Sequence, residues 1–330
     1  VHAIRLHAFG PAENLRYETV PDPVPGPGQV RIAVAAAGVH LIDTALRRGE
    51  PGPFPLPELP TVPGREVAGT VDRVGDGVPA NLLRARVVAH LGAVPGGYAE
   101  LAVTDAARLH EIPAALDSAQ AVAMIGTGRT TMGILQFAEL EPGSVVLVTA
   151  AAGGIGTLVV QYAKNAGATV IGAAGGPAKV DLVRRNGADL AVDYLLPDWP
   201  DRVRALVGDA GVHVLFDSVG GAIARTGIDL LTRGGRHLVY GWSGRSVDDG
   251  PVRLSADDLA ARGITSEMVI GPPMLARAGG DLRVLEDRAM AEAAAGRLRP
   301  ALHRFALADA AAAHRALETR GTTGKVVLEP

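Results

Sequence analysis

The segment Ala150-Ala151-Ala152-Gly153-Gly154-Ile155-Gly156 follows a continuous apolar run, Val145-Val146-Leu147-Val148-Thr149, and opens a helical pattern over 155–166. Residues this small let a backbone approach a pyrophosphate, and a helix N-terminus meets that group with free N–H bonds and positive dipole. The spacing is Ala-x-x-Gly-x-x-Gly rather than Gly-x-Gly-x-x-Gly, so the motif takes its weight from its setting, a strand before and a helix after. The plainer reading is a tight strand–helix turn without a ligand. An NAD site of this kind places an acid about 20 residues on, where it meets the ribose 2′-hydroxyl. Here that stretch reads Gly172-Ala173-Ala174-Gly175-Gly176-Pro177-Ala178-Lys179 and holds no acid; Asp181 falls inside the next helical pattern. An open turn ending in Lys179 suits a 2′-phosphate. Taken alone, Lys179 reads equally as a solvated helix residue.

Other chemistries are bounded by composition. The chain has no cysteine, which removes disulfides, thiolate nucleophiles and Cys-ligated zinc together. Its formal net charge is −3, and no run of Lys or Arg stands out, so neither nucleic acid nor an anionic membrane is an expected partner. No apolar stretch approaches the roughly 20 residues needed to span a bilayer. No basic-then-apolar segment opens the sequence, so a cytoplasmic location is expected.

The elements that must hold the turn follow from 330 residues, of which 48% are apolar: enough for two domains at roughly 100–200 residues each. Up to about residue 115 the chain reads as β-rich. Short strands are expected at 32–35, 67–71, 86–89 and 98–103, separated by Gly and Pro. Two Pro-rich stretches, 21–28 and 51–63, interrupt them; the second reads either as a functional loop or as a surface excursion. From 120 to 270 strand and helix alternate. Strands are expected at 145–149, 169–172, 190–192, 212–216, 237–240 and 264–270, with helices between, the pattern of a parallel sheet covered on both faces. Residues 280–330 hold two Ala-rich helical patterns and a strand at 325–328. The expected division is therefore 1–120 with 272–330 returning to it, and 121–271 as an inserted nucleotide-binding domain.

Several segments in order resemble the medium-chain dehydrogenase/reductase superfamily, and within it the zinc-independent NADPH:quinone oxidoreductases of the zeta-crystallin-like branch. They are Gly38-Val39-His40-Leu41-Ile42-Asp43-Thr44, Gly64-Arg65-Glu66-Val67-Ala68-Gly69, the turn at 150–156, Asp217-Ser218-Val219-Gly220-Gly221, and Ala313 to Glu318 followed by Gly324-Lys325-Val326-Val327-Leu328. The resemblance implies an α/β fold: a Rossmann doubly wound parallel sheet inserted in a chaperonin-10-like β-rich catalytic domain. It implies NADPH as cofactor and a homodimer formed through the edge strand at 264–270.

Site residues carry over one position at a time. Ala152, Gly153, Gly154 and Ile155 would line the pyrophosphate. Gly175, Lys179 and Tyr194 would surround the adenosine 2′-phosphate. Thr130 falls in the segment that approaches the nicotinamide, Gly241, Trp242 and Ser243 in the turn near its ribose, and Lys325 among the cofactor contacts; Trp242 departs from the small residue usual there. His40 stands where the family usually has Asn. It is the first candidate to donate a hydrogen bond or proton to a reduced carbonyl, against a purely structural His. Asp43 orients His40 or the ribose, or is a helix-end carboxylate favoured by the dipole. Arg47 and Arg48 are expected in solvent, Tyr98 as a strand anchor, and Glu66 paired with Arg65 or Arg129. Zinc-dependent relatives would carry ligands near His40, Arg65 and Ile125; only His40 could serve, so no metal is expected. The function implied is NADPH-dependent, zinc-independent reduction of a quinone or α,β-unsaturated carbonyl. The alternatives are an enoyl-thioester reductase, disfavoured because 40–49 lacks a Tyr, and a non-catalytic nucleotide- or RNA-binding relative. Residues 50–59, Trp242 and Met274 are expected to shape the substrate pocket.

Overall fold

The computed structural model describes residues 1–50, 55–92, 95–243 and 250–330. It divides the chain into two compact units, Val1–Thr127 with Pro300–Pro330, and Gly128–Arg299.

The first unit begins with a hairpin, β1 (His2–Leu6) and β2 (Leu15–Thr19), followed by β3 (Gln29–Val39), α1 (Leu41–Arg48), β4 (Glu66–Val74), β5 (Arg86–His90), β6 (Leu101–Asp105), β7 (Leu109–Glu111) and α2 (Ser118–Ala123). The second unit supplies α3 (Arg129–Leu135), β8 (Val145–Val148), α4 (Gly154–Asn165), β9 (Thr169–Ala174), α5 (Pro177–Arg185), β10 (Leu190–Asp193), α6 (Trp199–Val207), β11 (Val212–Asp217), α7 (Gly221–Ile228), β12 (Leu231–Val239), α8 (Ala256–Arg262), β13 (Thr265–Met268), α9 (Pro272–Arg277) and α10 (Arg283–Ala294). The chain then returns to the first unit with β14 (Leu302–Ala306), α11 (Ala310–Glu318) and β15 (Lys325–Glu329).

Among the described residues, the first unit holds a seven-stranded sheet ordered β14-β15-β3-β4-β5-β7, with β6 also on β3. Burial alternates along β6 and the first half of β3, as expected when one face packs on a core, whereas β4, β5 and β15 carry runs of buried residues. Ile4, Ile32, Val67, Val71, Tyr98, Val326 and Leu328 meet in that core. The strand expected at 98–103 starts later, at Leu101, and Tyr98 instead anchors the hairpin: its carbonyl accepts the Ile4 N–H at 2.8 Å.

The second unit is a six-stranded parallel sheet ordered β10-β9-β8-β11-β12-β13. The chain runs outward from β8 to β10 and then crosses back to β11, so the strand order reverses beside β8. In such sheets a ligand crevice opens at the carboxyl ends of the strands flanking the reversal. Every residue of β8 is buried, which explains its unbroken apolar sequence.

Two boundaries differ from expectation. Residues 121–127, expected with the second unit, group with the first, and residues 272–299, expected with the first, group with the second. Gly133 on α3 leaves room for Met274 of α9 and Leu285 of α10, and Gln161 and Asn165 of α4 hold the backbone at Arg299 and Arg297. The Ala-rich pattern reports a helix but not which sheet its apolar face covers. Of the Pro-rich stretch at 51–63, residues 51–54 lie outside the described residues, and so does that part of the expected pocket loop.

Candidate functional site

In the first unit the site is built by sheet register. β15 lies beside β3 with Val326 opposite Val39, and β4 lies on the other side with Val67 opposite Ala37. Lys325 and Glu66, each opening its strand, are thereby brought to the end of β3, where His40 follows. His40 caps α1 in extended conformation, Asp43 stands at the third helical position, and Gly49 ends the helix in the left-handed region that glycine tolerates (φ 79°).

Three side chains converge there. His40 Nε2 is 2.6 Å from Glu66 Oε1 and 2.7 Å from Lys325 Nζ, and Lys325 Nζ is 2.9 Å from Glu66 Oε2. Glu66 and Lys325 are buried, while the His40 side chain is 31% exposed and is the member that can meet a ligand. Burial pushes the Glu66 carboxyl up, but His40 and Lys325 outweigh it and hold the group well below the usual carboxylate range. Two glycines make the space. A Cβ on Gly126 would fall 1.4 Å from Glu66 Oε1, and one on Gly38 2.2 Å from Oε2. Gly126 lies in a single π-helical turn, Met124–Gly128, a distortion frequent at functional positions.

Asp43 belongs to a second, buried chain. Its Oδ2 accepts the His40 backbone N–H at 2.8 Å and the Tyr98 hydroxyl at 3.1 Å, and that hydroxyl is 3.2 Å from His314 Nε2. Burial, with the nearby Asp43 charge, pushes the Tyr98 hydroxyl well above its ordinary value. Burial brings His314 down to about 4, against the opposing pull of Asp43. Asp43 thus fixes the backbone of His40, and Tyr98 does more than anchor a strand.

Two expectations are corrected. Glu66 pairs with His40 and Lys325, not with Arg65 or Arg129; Arg129 bonds Glu286 at 3.2 Å, and successive residues of an extended chain face opposite ways, which takes Arg65 away from Glu66. Arg47 is buried rather than solvated: it faces α11 and pairs with Glu318, while Arg48 keeps to the surface with Glu50. Lys325, expected among the cofactor contacts, stands in the first unit with its ammonium against Glu66 and His40. A charged residue opening an otherwise apolar strand, Lys325-Val326-Val327-Leu328, is the sequence signal for a buried partner. The partner itself could not be read.

In the second unit the turn expected to bind a dinucleotide lies at the end of β8. Ala150 adopts φ 46°, Gly153 caps α4, and a Cβ on Gly156 would meet Ala150 O at 2.4 Å and Ala151 Cα at 2.8 Å. Only glycine lets α4 start this close to the strand, leaving the backbone of Ala152, Gly153, Gly154 and Ile155 at the helix mouth. Behind it, Thr149 Oγ1 donates to the buried Asp217 carboxylate at 3.0 Å, and Asp217 accepts the N–H groups of Val219 and Gly220. This ties together the ends of β8 and β11; it went unread in the sequence, although Asp217 lay in a recognised segment. The turn after β9 places Gly175 against the Tyr194 ring, 3.0 Å from a Cβ at that position. Gly176 N–H donates to Asp193, and Lys179 is half-buried in the first turn of α5. Ser243 N–H and hydroxyl both bond Ser218 O, which fixes the turn at Gly241, and Trp242 is 52% exposed. Thr130 is half-buried on α3. Met274, expected to shape a pocket with Trp242, is buried against Gly133.

Among the described residues no three His, Cys, Asp or Glu side chains are grouped to hold a metal ion. At His40 and Glu66, the two side chains best able to ligate, the Lys325 ammonium already supplies a positive charge. A zinc ion does not fit that donor set.

Over residues 26–114 the chain matches the family described as alcohol dehydrogenase GroES-like domain, and over 154–274 the family described as zinc-binding dehydrogenase. It is 34% identical to a quinone oxidoreductase from Pseudomonas aeruginosa, with 99% of each chain covered. It is 33% identical to a 2-haloacrylate reductase from a Burkholderia species, over 100% of this chain and 99% of that one. The solved structure of Escherichia coli quinone oxidoreductase complexed with NADPH superposes over 100% of both chains with a TM-score of 0.84 at 28% identity. Sheet order, switch-point turn and end-to-end similarity agree, and the chain belongs to the medium-chain dehydrogenase/reductase superfamily, in its quinone oxidoreductase branch.

Proposed function

We propose that this protein is a cytoplasmic, NADPH-dependent oxidoreductase that reduces quinones or α,β-unsaturated carbonyl compounds without zinc. The observation that carries the reading is the ammonium of Lys325 seated against His40 and Glu66. It leaves the site a hydrogen-bond donor of positive character but no Lewis acid. Relatives with end-to-end similarity are named for quinone and 2-haloacrylate, both unsaturated acceptors conjugated to oxygen.

The residues of the second unit fit the cofactor. The glycine-only approach at Gly156 leaves the α4 N-terminus open to a pyrophosphate over Ala152, Gly153, Gly154 and Ile155. Gly175, Lys179 and Tyr194 suit the 2′-phosphate; the turn after β9 carries no acid of its own, and the Asp193 carboxylate that reaches it accepts the Gly176 and Leu195 N–H groups. Thr130, Gly241, Trp242 and Ser243 are assigned to the nicotinamide end. When bound, NADPH supplies a hydride. The chain's own part is to manage the charge: reduction of a conjugated carbonyl moves negative charge onto its oxygen, and a fixed donor there lowers the barrier. His40 is that donor and the source of the proton. Lys325 and Glu66 hold its ring, and Asp43, fixed by Tyr98, holds its backbone. The exposed edge strand β13 is the surface for homodimerisation, to be checked by light scattering against the 33.9 kDa chain mass.

The test is oxidation of NADPH and, in parallel, NADH against quinones, enones and enoyl thioesters. NADPH should be preferred, and Lys179→Met should erase much of that preference. A preference for NADH, or no consumption with any acceptor, would remove the reading.

A further inference from the structure

The first unit contains a cleft of about 120 Å³ walled by Leu6, Asp43, Leu46, Thr61, Arg47 and Arg65, among others. Its volume is comparable to the roughly 150 Å³ cavity that accommodates a benzene ring. Most of the wall is apolar, and the chemistry of interest is at Arg47. This side chain is only 2% exposed. One of its nitrogens, Nη2, donates to Glu318, whose Oε1 also accepts from Arg48, so two cations share one carboxylate oxygen. Arg48 also hydrogen-bonds Glu50; among the described residues Arg47 hydrogen-bonds no second carboxylate, and Glu13 and Glu50 act on it only at longer range. Its Nε and Nη1 are buried with no hydrogen-bond partner.

A guanidinium carries five N–H donors and stays charged in proteins. Leaving charged donors buried and unmet is costly, so such a group is ordinarily found with an acceptor. Two of the acceptors around it are engaged elsewhere. Asp43 Oδ2 takes the Tyr98 hydroxyl and the His40 N–H, and Glu318 is shared. Arg47 therefore stands in the wall of a small, mostly apolar cleft, with two unmet donors buried beneath its surface and a charge that Glu318, with Glu13 and Glu50 at longer range, offsets by less than burial costs.

We propose that this cleft is a subsite for the carboxylate of a small unsaturated acid, with Arg47 as its counter-ion. The inference rests on the proposed reduction of conjugated carbonyl compounds and narrows its substrate class. A carboxylate answers both deficits at Arg47, the missing acceptors and the half-shared counter-charge, whereas a neutral carbonyl answers only the first. Asp43, on the same wall, repels an anion and keeps it toward the Arg47 end. The apolar remainder suits a short carbon skeleton.

The test uses the full-length protein and two probe pairs: acrylate with methyl acrylate as acceptors, and propanoate with propanamide as non-reacting ligands followed by calorimetry. Propanoate should bind more tightly than propanamide, and acrylate should show the lower KM of its pair, each by on the order of 10- to 100-fold, the range of a charge-assisted hydrogen bond. Arg47→Lys, which keeps the charge but loses the fork, should raise the KM for acrylate more than that for methyl acrylate. Arg47→Met should abolish the preference for propanoate; if that variant does not fold, the calorimetry on the unaltered protein still decides. Equal binding of propanoate and propanamide, or none of either, overturns the subsite. Absence of turnover with every acceptor removes the parent reading instead, and the propanoate titration still reads the subsite on its own.

Discussion

His40 is half in solvent and half fixed, with its ring against a buried carboxylate and a buried ammonium. A group so placed can present a hydrogen bond without reorganising when charge develops. His40→Phe should lower kcat by about 10²- to 10⁴-fold, the usual contribution of a positioned acid. His40→Asn should recover a good part of the loss, because an amide still donates; steady-state kinetics of the two variants distinguish the chemical role from a packing role, for which Phe would serve as well. Buried His314 makes a separate prediction about stability. Its pKa falls from 6.5 in the unfolded chain to about 4 in the folded one. Below pH 6.5 the unfolded chain gains a proton that folded His314 refuses. Stability is therefore full above pH 6.5, declines as the pH falls toward 4, and loses no more from this group below that. The loss is on the order of 3 kcal/mol, at about 1.4 kcal/mol per pH unit. Urea unfolding at pH 7 and pH 4.5 should show a smaller difference in His314→Phe than in the unaltered protein; an unchanged difference would assign the acid sensitivity elsewhere.

At the scale of elements, the strand–turn–helix at 145–165 is the part where local sequence and tertiary role coincide. β8 is apolar throughout because both its faces are covered, and α4 has a glycine at its third position because the backbone of Ala150 and Ala151 leaves no room for a Cβ at Gly156. Gly156→Ala should push α4 off the strand, lower Tm, and weaken NADPH binding more than it weakens the fold. Calorimetric titration beside a thermal melt reads both, and unaltered NADPH affinity would detach the turn from the cofactor. Such elements were legible because their signals are short in range: an apolar run, small residues, then helical periodicity. The same reasoning could not reach the His40–Lys325 contact, which joins residues 285 apart and depends on β15 pairing with β3. Nor could it see that Arg47 turns inward, since a basic pair at a helix end reads as solvated until the neighbouring helix α11 is known. The placement of 272–299 was missed for a related reason: Gly133 marks where α9 and α10 pack, and a glycine inside a helix does not announce its neighbour.

At the scale of the molecule, the chain assembles two kinds of machinery in separate units. The second unit carries a switch-point turn suited to a dinucleotide, with a turn after β9 that has no acid in its own sequence. The first unit carries a charge cluster in which lysine stands against the residues that a metal would need. Together they favour reduction of a conjugated carbonyl over zinc-assisted alcohol chemistry. The measurement that bears most directly on this is isotope transfer. NADPH deuterated at the transferable position of its nicotinamide should deliver one deuterium to the carbon β to the carbonyl of an enone or acrylate product, with a primary isotope effect when hydride transfer limits the rate. A product carrying no deuterium, or deuterium only when the solvent is D₂O, would contradict the account.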